Sequence, residues 1–207
     1  DLQSGQPDRF DRLSCCDLDL LFDYSRQRLT PDTISLLVAL AGKRGLKARI
    51  DAMFGGEIVN PTEHRAALHT ALRNRSGRPV MLNGKDIMVD VRAGLERMRN
   101  FVDGVHAGRI AGVGGKPFTD IVNIGIGGSD LGIAMATEAL VRYRNRNLKV
   151  HCVSNIDGVQ LSDLLERLEA SRTLFVVVSK TFTTIETLSN ARLARQWLVD
   201  RLGEGAV

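Results

Sequence analysis

From residue 119 onward the chain alternates strand-like and helix-like segments three times, and no other feature limits its fold so tightly. Three short apolar runs, Ile121 to Ile124, Val150 to Val153 and Leu174 to Val178, have the length and β-branched content of strands. Residues 130–142, 158–168 and 184–202 carry helical patterning, the last with Ile185, Leu188, Ala191, Ala194 and Leu198 along one stripe. Strands that are nearly apolar throughout need cover on both faces, and a β-α-β-α-β-α order joins parallel strands through helical crossovers. The expected fold is therefore α/β, a doubly wound parallel sheet that ends before it is finished.

The expected organisation is a mostly helical segment over 1–117, followed by the first part of the α/β domain over 118–207. In the first segment, Leu18, Leu20, Phe22 and Tyr24 alternate with polar residues, apart from Leu21, and predict a short strand. Thr30-Pro31 ahead of Ile34, Leu37, Val38 and Ala41 predicts a capped helix. Asn60-Pro61-Thr62-Glu63 ahead of Ala66, Ala67, Leu68, Ala71 and Leu72 predicts another. Val80-Met81-Leu82 running into Asn83-Gly84 predicts a short strand and tight turn, and Val91, Leu95, Met98 and Val102 mark a longer amphipathic helix.

Two strand ends carry the chemistry. Ile124-Gly125-Ile126-Gly127-Gly128-Ser129-Asp130 runs straight into a helix, and such a turn offers unpaired N–H groups and the positive end of a helix dipole to an anion. A G-x-G-x-x-G dinucleotide fingerprint is excluded, because Asp130 stands where the third glycine belongs. Gly114-Gly115-Lys116 is followed by Pro117 and precedes a strand, so it is no nucleotide-triphosphate loop. The second strand end, Ser179-Lys180-Thr181-Phe182-Thr183-Thr184, places four hydroxyls and a lysine before another helix. Thr183 and Glu186 have capping-box spacing, an ordinary structural role for one threonine, but four hydroxyls and a lysine together exceed what a cap requires. With a 2-1-3 strand order, both loops would flank the topological switch point, where open α/β sheets bind ligands.

Composition narrows the partners. Lys and Arg number 28 against 24 Asp and Glu, a net charge of +4 spread along the chain, which suits a small anion and argues against nucleic acid. Cys15, Cys16 and Cys152 form no CxxC or Cys/His pattern, so a reduced, cytoplasmic protein is expected, with no metal and no other cofactor. No apolar run approaches a membrane span, and the first residues do not resemble a signal peptide.

The same residues resemble the glucose-6-phosphate isomerase family. Asn123 to Gly132 is similar to its glycine loop, Val153 to Gly158 to its next strand end, and Ser179 to Thr187 to its phosphate loop. Asn60, Thr62, Glu63, Arg65, Ala66, Leu68, His69, Ala71, Leu72 and Arg73 match its N-x-T-E-x-R-A-x-L-H-x-A-L-R helix. The resemblance implies an α/β domain of the sugar-isomerase type, a homodimeric full-length enzyme of glycolysis and gluconeogenesis, and glucose 6-phosphate and fructose 6-phosphate as substrates. It also implies that Gly128 and Ser129 touch the sugar phosphate, that Ser179, Thr181 and Thr184 hold its oxygens, and that Lys180 and Thr183 complete the loop. Ile133 stands where the family often has proline. The family's glutamate base, its ring-opening histidine with a lysine, and its arginine belong to motifs expected beyond Val207, so no catalytic residue is assigned within the chain.

Several residues are set aside. His69, beside Leu68 and Leu72, reads as a packed or capping group, and His64, His106 and His151 offer less. Asn155 and Asp157 are explained by turn chemistry. A non-catalytic sugar-phosphate sensor and a nucleotide-dependent oxidoreductase remain as alternative classes.

Overall fold

The computed structural model describes residues 6–206; the opening Asp1 to Ser4, read above as unlike a signal peptide, and Val207 lie outside the described residues. The chain forms two compact units, Asp1–Gly94 and Leu95–Val207.

The first unit begins with α1 (Arg9–Arg12) and an antiparallel hairpin of β1 (Ser14–Asp17) and β2 (Leu20–Asp23). The expected strand is present as β2, but Leu18 lies in the reversal, where it and Asp19 have positive φ. The alternation separates no inside from outside, since Leu20, Leu21 and Phe22 are all exposed. Arg9 is buried, and its guanidinium donates to the carbonyls of Ser25, Gln27 and Leu29 at 2.6, 2.7 and 2.8 Å, which pins the segment leading to the next helix.

That helix, α2 (Pro31–Lys43), starts as its sequence predicts. Thr30 Oγ1 accepts from the Thr33 N–H at 3.2 Å, Thr33 Oγ1 accepts from the Thr30 N–H at 3.3 Å, and Pro31 occupies the first turn. After Gly45, in a left-handed conformation, comes α3 (Leu46–Phe54), which is not anticipated from the sequence.

The helix predicted from Asn60 does not form. Asn60 Oδ1 accepts from the Thr62 N–H, the Thr62 hydroxyl and the Glu63 N–H at 3.1, 2.7 and 3.2 Å, so the cap is made. The chain then doubles back through His64, at φ 51°, and Asn60 bridges Arg65 in antiparallel fashion. Side chains that bond their own backbone in a turn compete with helix propagation, and here the turn prevails. Only a single 3-10 turn, Ala71–Arg73, follows.

β3 (Met81–Leu82) and β4 (Lys85–Asp86) pair through Asn83 and Gly84, both at positive φ (51° and 79°), the backbone a two-residue hairpin turn requires. Next, α4 (Met88–His106) begins in the first unit and extends into the second, matching the expected amphipathic helix.

In the second unit the order is β5 (Asp120–Ile124), α5 (Gly128–Ala139), β6 (Lys149–Val153), α6 (Gly158–Leu165), β7 (Thr173–Val177) and α7 (Ile185–Leu202). The three strands form one parallel sheet in the order β6-β5-β7, so the first strand in sequence lies at the centre. On one face, Val122, Ile124 and Val153 pack with Leu161 and Leu165 of α6 and Ala194 of α7, while Phe175 meets Trp197 edge-on at 6.1 Å and 77°. The other face takes α5 over β6, and Met98, Phe101, Val102 and Val105 of α4 line a cavity of about 530 Å³ with Ile121, Leu174 and Val176. Helices on both faces of a parallel sheet make this the α/β, doubly wound arrangement read from the sequence.

Candidate functional site

The parallel register fixes where the two sequence-predicted loops begin. Ile124 pairs with Val153 on one side and Val177 on the other. One residue further, the Gly125 N–H donates to the Val153 carbonyl at 3.2 Å and the Val178 N–H to the Ile124 carbonyl at 2.9 Å. The 125–130 and 178–184 loops thus leave adjacent strands, about 5 Å apart, at the same level and the same edge. The helices that follow diverge, α5 to the face of Asn123 and α7 to the face of Ile124. This is the geometry of a topological switch point.

Within the first loop, Gly125 lies against the start of α5. A Cβ there would stand 2.6 Å from the Ser129 carbonyl oxygen, so only glycine lets the helix begin this close to the strand. Gly127, the N-cap, has φ 58°, a second position that favours glycine. The Ser129 and Asp130 N–H groups turn back to the Ile126 and Gly127 carbonyls. The N–H groups of Gly127 and Gly128 have no acceptor among the described residues, and both glycines are exposed. Uncommitted donors at the positive end of a twelve-residue helix suit an anion.

The second loop is shaped by its own hydroxyls. Ser179 Oγ accepts from the Phe182 N–H at 3.1 Å, and the Thr181 and Thr183 hydroxyls share a hydrogen bond of 2.7 Å. Phe182 sits at φ 53°, a left-handed turn unusual for an aromatic residue. The expected capping box of Thr183 with Glu186 does not form. The N-cap is Thr184, with no side-chain cap bond, because the turn at Phe182 commits the Thr183 hydroxyl to Thr181. The start of α7 thus keeps N–H groups that no side chain satisfies, beside the half-buried Thr184. Lys180 is exposed on the same loop.

The residues set aside have structural duties. Asn155 Oδ1 accepts from the Asp157 N–H and Asp157 Oδ1 from the Val159 N–H, both at 3.0 Å, which caps α6. His69, read as a packed or capping group, is instead exposed, and it is its main-chain carbonyl that accepts from Arg73 at 2.9 Å; His151 Nε2 meets Asp120 Oδ1 at 2.8 Å, and Lys116 pairs with Glu169 at 2.8 Å. No cluster of metal-ligating side chains occurs among the described residues.

Sequence reasoning missed the support beneath the loops. Gln160 accepts from the N–H groups of Ser154 and Asn155, both at 3.3 Å, and buried Asn190 of α7 donates to the Asn155 carbonyl at 2.7 Å. Asn123 and Asp130 are only 2% and 4% exposed, and the Asn123 amide donates to the Ser129 carbonyl at 3.4 Å. Burial, with Asp130 close by, pushes the Cys152 thiol above its ordinary pKa. The one signal for this layer was an asparagine inside an otherwise apolar strand.

Relatives of known identity match almost the whole length of this chain. The glucose-6-phosphate isomerase of Methylococcus capsulatus (strain ATCC 33009 / NCIMB 11132 / Bath) is 50% identical over 204 residues, 99% of this chain and 37% of that protein. Those of Chelativorans sp. (strain BNC1) and Roseiflexus castenholzii (strain DSM 13941 / HLO8) are 51% and 52% identical over 203 and 205 residues, 98% and 99% of this chain and 37% and 38% of theirs. The chain therefore spans little more than a third of the length of these curated relatives. The crystal structure of a glucose-6-phosphate isomerase from Chlamydia trachomatis D/UW-3/Cx superposes with a TM-score of 0.75 at 27% identity, over 95% of this chain and 38% of that one. The family model of phosphoglucose isomerase matches residues 23–207, and the chain belongs to that family.

Proposed function

We propose that the protein interconverts glucose 6-phosphate and fructose 6-phosphate, an aldose–ketose isomerisation of glycolysis and gluconeogenesis, and that this chain holds the substrate's phosphate. The observation that carries this is the pair of helix starts, at Gly127 and Thr184, on neighbouring parallel strands with N–H groups left uncommitted. Gly128 offers its N–H and Ser129 its hydroxyl, while Ser179, Thr181, Thr183 and Thr184 surround the other side with hydroxyls and Lys180 adds a positive charge. Holding a remote phosphate fixes the reacting carbons against a base, so binding energy is used for orientation during proton transfer. The chemistry needs no cofactor.

The sugar-isomerase domain proper is taken as 118–207, after the mostly helical 1–117, and the full-length enzyme as a cytoplasmic homodimer without nucleic-acid or membrane partners. No helix among the described residues is long and apolar enough to cross a membrane.

The test uses the intact protein. Ser129→Ala and Thr184→Ala each remove a protein hydroxyl that donates to a charged ligand, so kcat/KM for fructose 6-phosphate should fall roughly tenfold in either variant. Unchanged kcat/KM in both would sink the site. Thermal stabilisation by fructose 6-phosphate and none by NAD separates this function from a nucleotide-dependent one.

A further inference from the structure

The stretch from Asn60 to Arg73 matches a family motif, yet it forms no α-helix, only the 3-10 turn at Ala71–Arg73. It leads into an arginine-rich cavity in the first unit. The cavity, about 630 Å³, is lined by His69, Thr70, Arg73, Arg75, Ser76 and Arg78 among others, and no Asp or Glu lines it. Pockets of this size hold small metabolites.

The segment that carries the arginines is preformed. Asn74 Oδ1 accepts from the Ser76 N–H and hydroxyl at 3.0 and 2.6 Å, the Asn74 amide donates to the Arg78 carbonyl at 3.0 Å, and the Arg78 N–H donates to Ser76 Oγ at 3.2 Å. Gly77, at φ 75°, closes the arch. Arg73 Nη1 donates to the His69 carbonyl, which ties the last residue of the motif to the cavity wall. The ion pairs among the described residues include none of Arg73, Arg75 and Arg78.

Arg73, Arg75 and Arg78 line one concave surface, where like charges repel unless an anion or solvent screens them, and the hydrogen bonds of Asn74 and Ser76 hold the backbone between them in its arch. Guanidinium forks match phosphate oxygens two at a time, and the Ser76, Thr70 and His69 side chains add donors of the same kind. We infer that this cavity is a binding site for the phosphate group of a small metabolite, built separately from the strand-end loops. A small phosphate is favoured over an acidic peptide by the concavity and by a volume of about 630 Å³, the size of a small-molecule pocket.

The experiment titrates the intact protein with inorganic phosphate at low salt, in a Ser179→Ala/Thr184→Ala background that disables the strand-end loops. That background should retain a phosphate site, and adding Arg75→Gln and Arg78→Gln should weaken it by at least about tenfold. Fructose 6-phosphate should compete for the same site if the ligand is a phosphorylated metabolite and not free phosphate alone. Both arginines are exposed, and a parallel reading needs no variant: phosphate should slow phenylglyoxal labelling of Arg75 and Arg78, followed by peptide mass spectrometry. No phosphate binding in the background protein, affinity indifferent to the arginine substitutions, or labelling rates untouched by phosphate would each overturn the inference. None of these readouts depends on whether Ser129 and Thr184 hold substrate.

Discussion

Gly125 shows how one residue can decide the shape of a site. Its absent side chain lets the Ser129 carbonyl come within 2.6 Å of where a Cβ would stand, so α5 starts almost on top of β5. Gly125→Ala should force strand and helix apart, at a cost of about 1–3 kcal/mol in denaturant unfolding and with weaker phosphate binding. Gly132→Ala in the same helix meets nothing within 4 Å and should be neutral or stabilising, since alanine is the better helix former. A Gly125→Ala protein as stable as the wild type would mean that the approach is not a constraint. Asn60 is the opposite case: its capping side chain was legible, yet the helix was not there. The same oxygen that caps a first turn also closes an Asx turn, and the choice depends on whether the next residues continue or reverse.

At the scale of elements, β5 and β6 are joined by more than their ladder. Asp120 and His151 meet at 2.8 Å with side chains 15% and 27% exposed. Burial pushes the Asp120 carboxyl up, but hydrogen bonds from His151 and Thr119, with the nearby charges of His151 and Lys149, outweigh it and hold the group below the ordinary carboxylate value. A folded value below the unfolded one gives stability that is full above the unfolded pKa and lost as pH falls through the folded pKa. Asp120→Asn should therefore lower stability near neutral pH and lose less on acidification, seen as a smaller drop in denaturation midpoint between about pH 6 and about pH 3. Parallel losses in both proteins would remove Asp120 as the cause. Most elements were readable because each carries its own signal: capping at Thr30, a two-residue turn at Asn83-Gly84, continuous apolar strands. The nine-residue α3 was not, because it follows α2 after only two residues and lacks a capping side chain.

For the whole molecule, the chain spans 37% to 38% of the length of its curated relatives, and much apolar surface is open. In the first unit Leu36, Leu37, Val38 and Leu40 of α2 are all at least half exposed, a density that soluble proteins seldom leave uncovered. The 207-residue chain alone should bind a hydrophobic dye and show no isomerisation of fructose 6-phosphate, whereas a polypeptide of the relatives' length should exclude the dye and turn substrate over. Measurable turnover by the chain alone would place catalytic groups within it. Local sequence determined the α/β alternation, the parallel strands and the two polar strand ends, because strand length, helical period and loop chemistry are written in neighbouring residues. The β6-β5-β7 order, the common edge of the two loops, the turn at Asn60 and the arginine cavity belong to the tertiary structure. Pairing and packing between residues far apart in sequence choose among arrangements that local signals leave equal in energy.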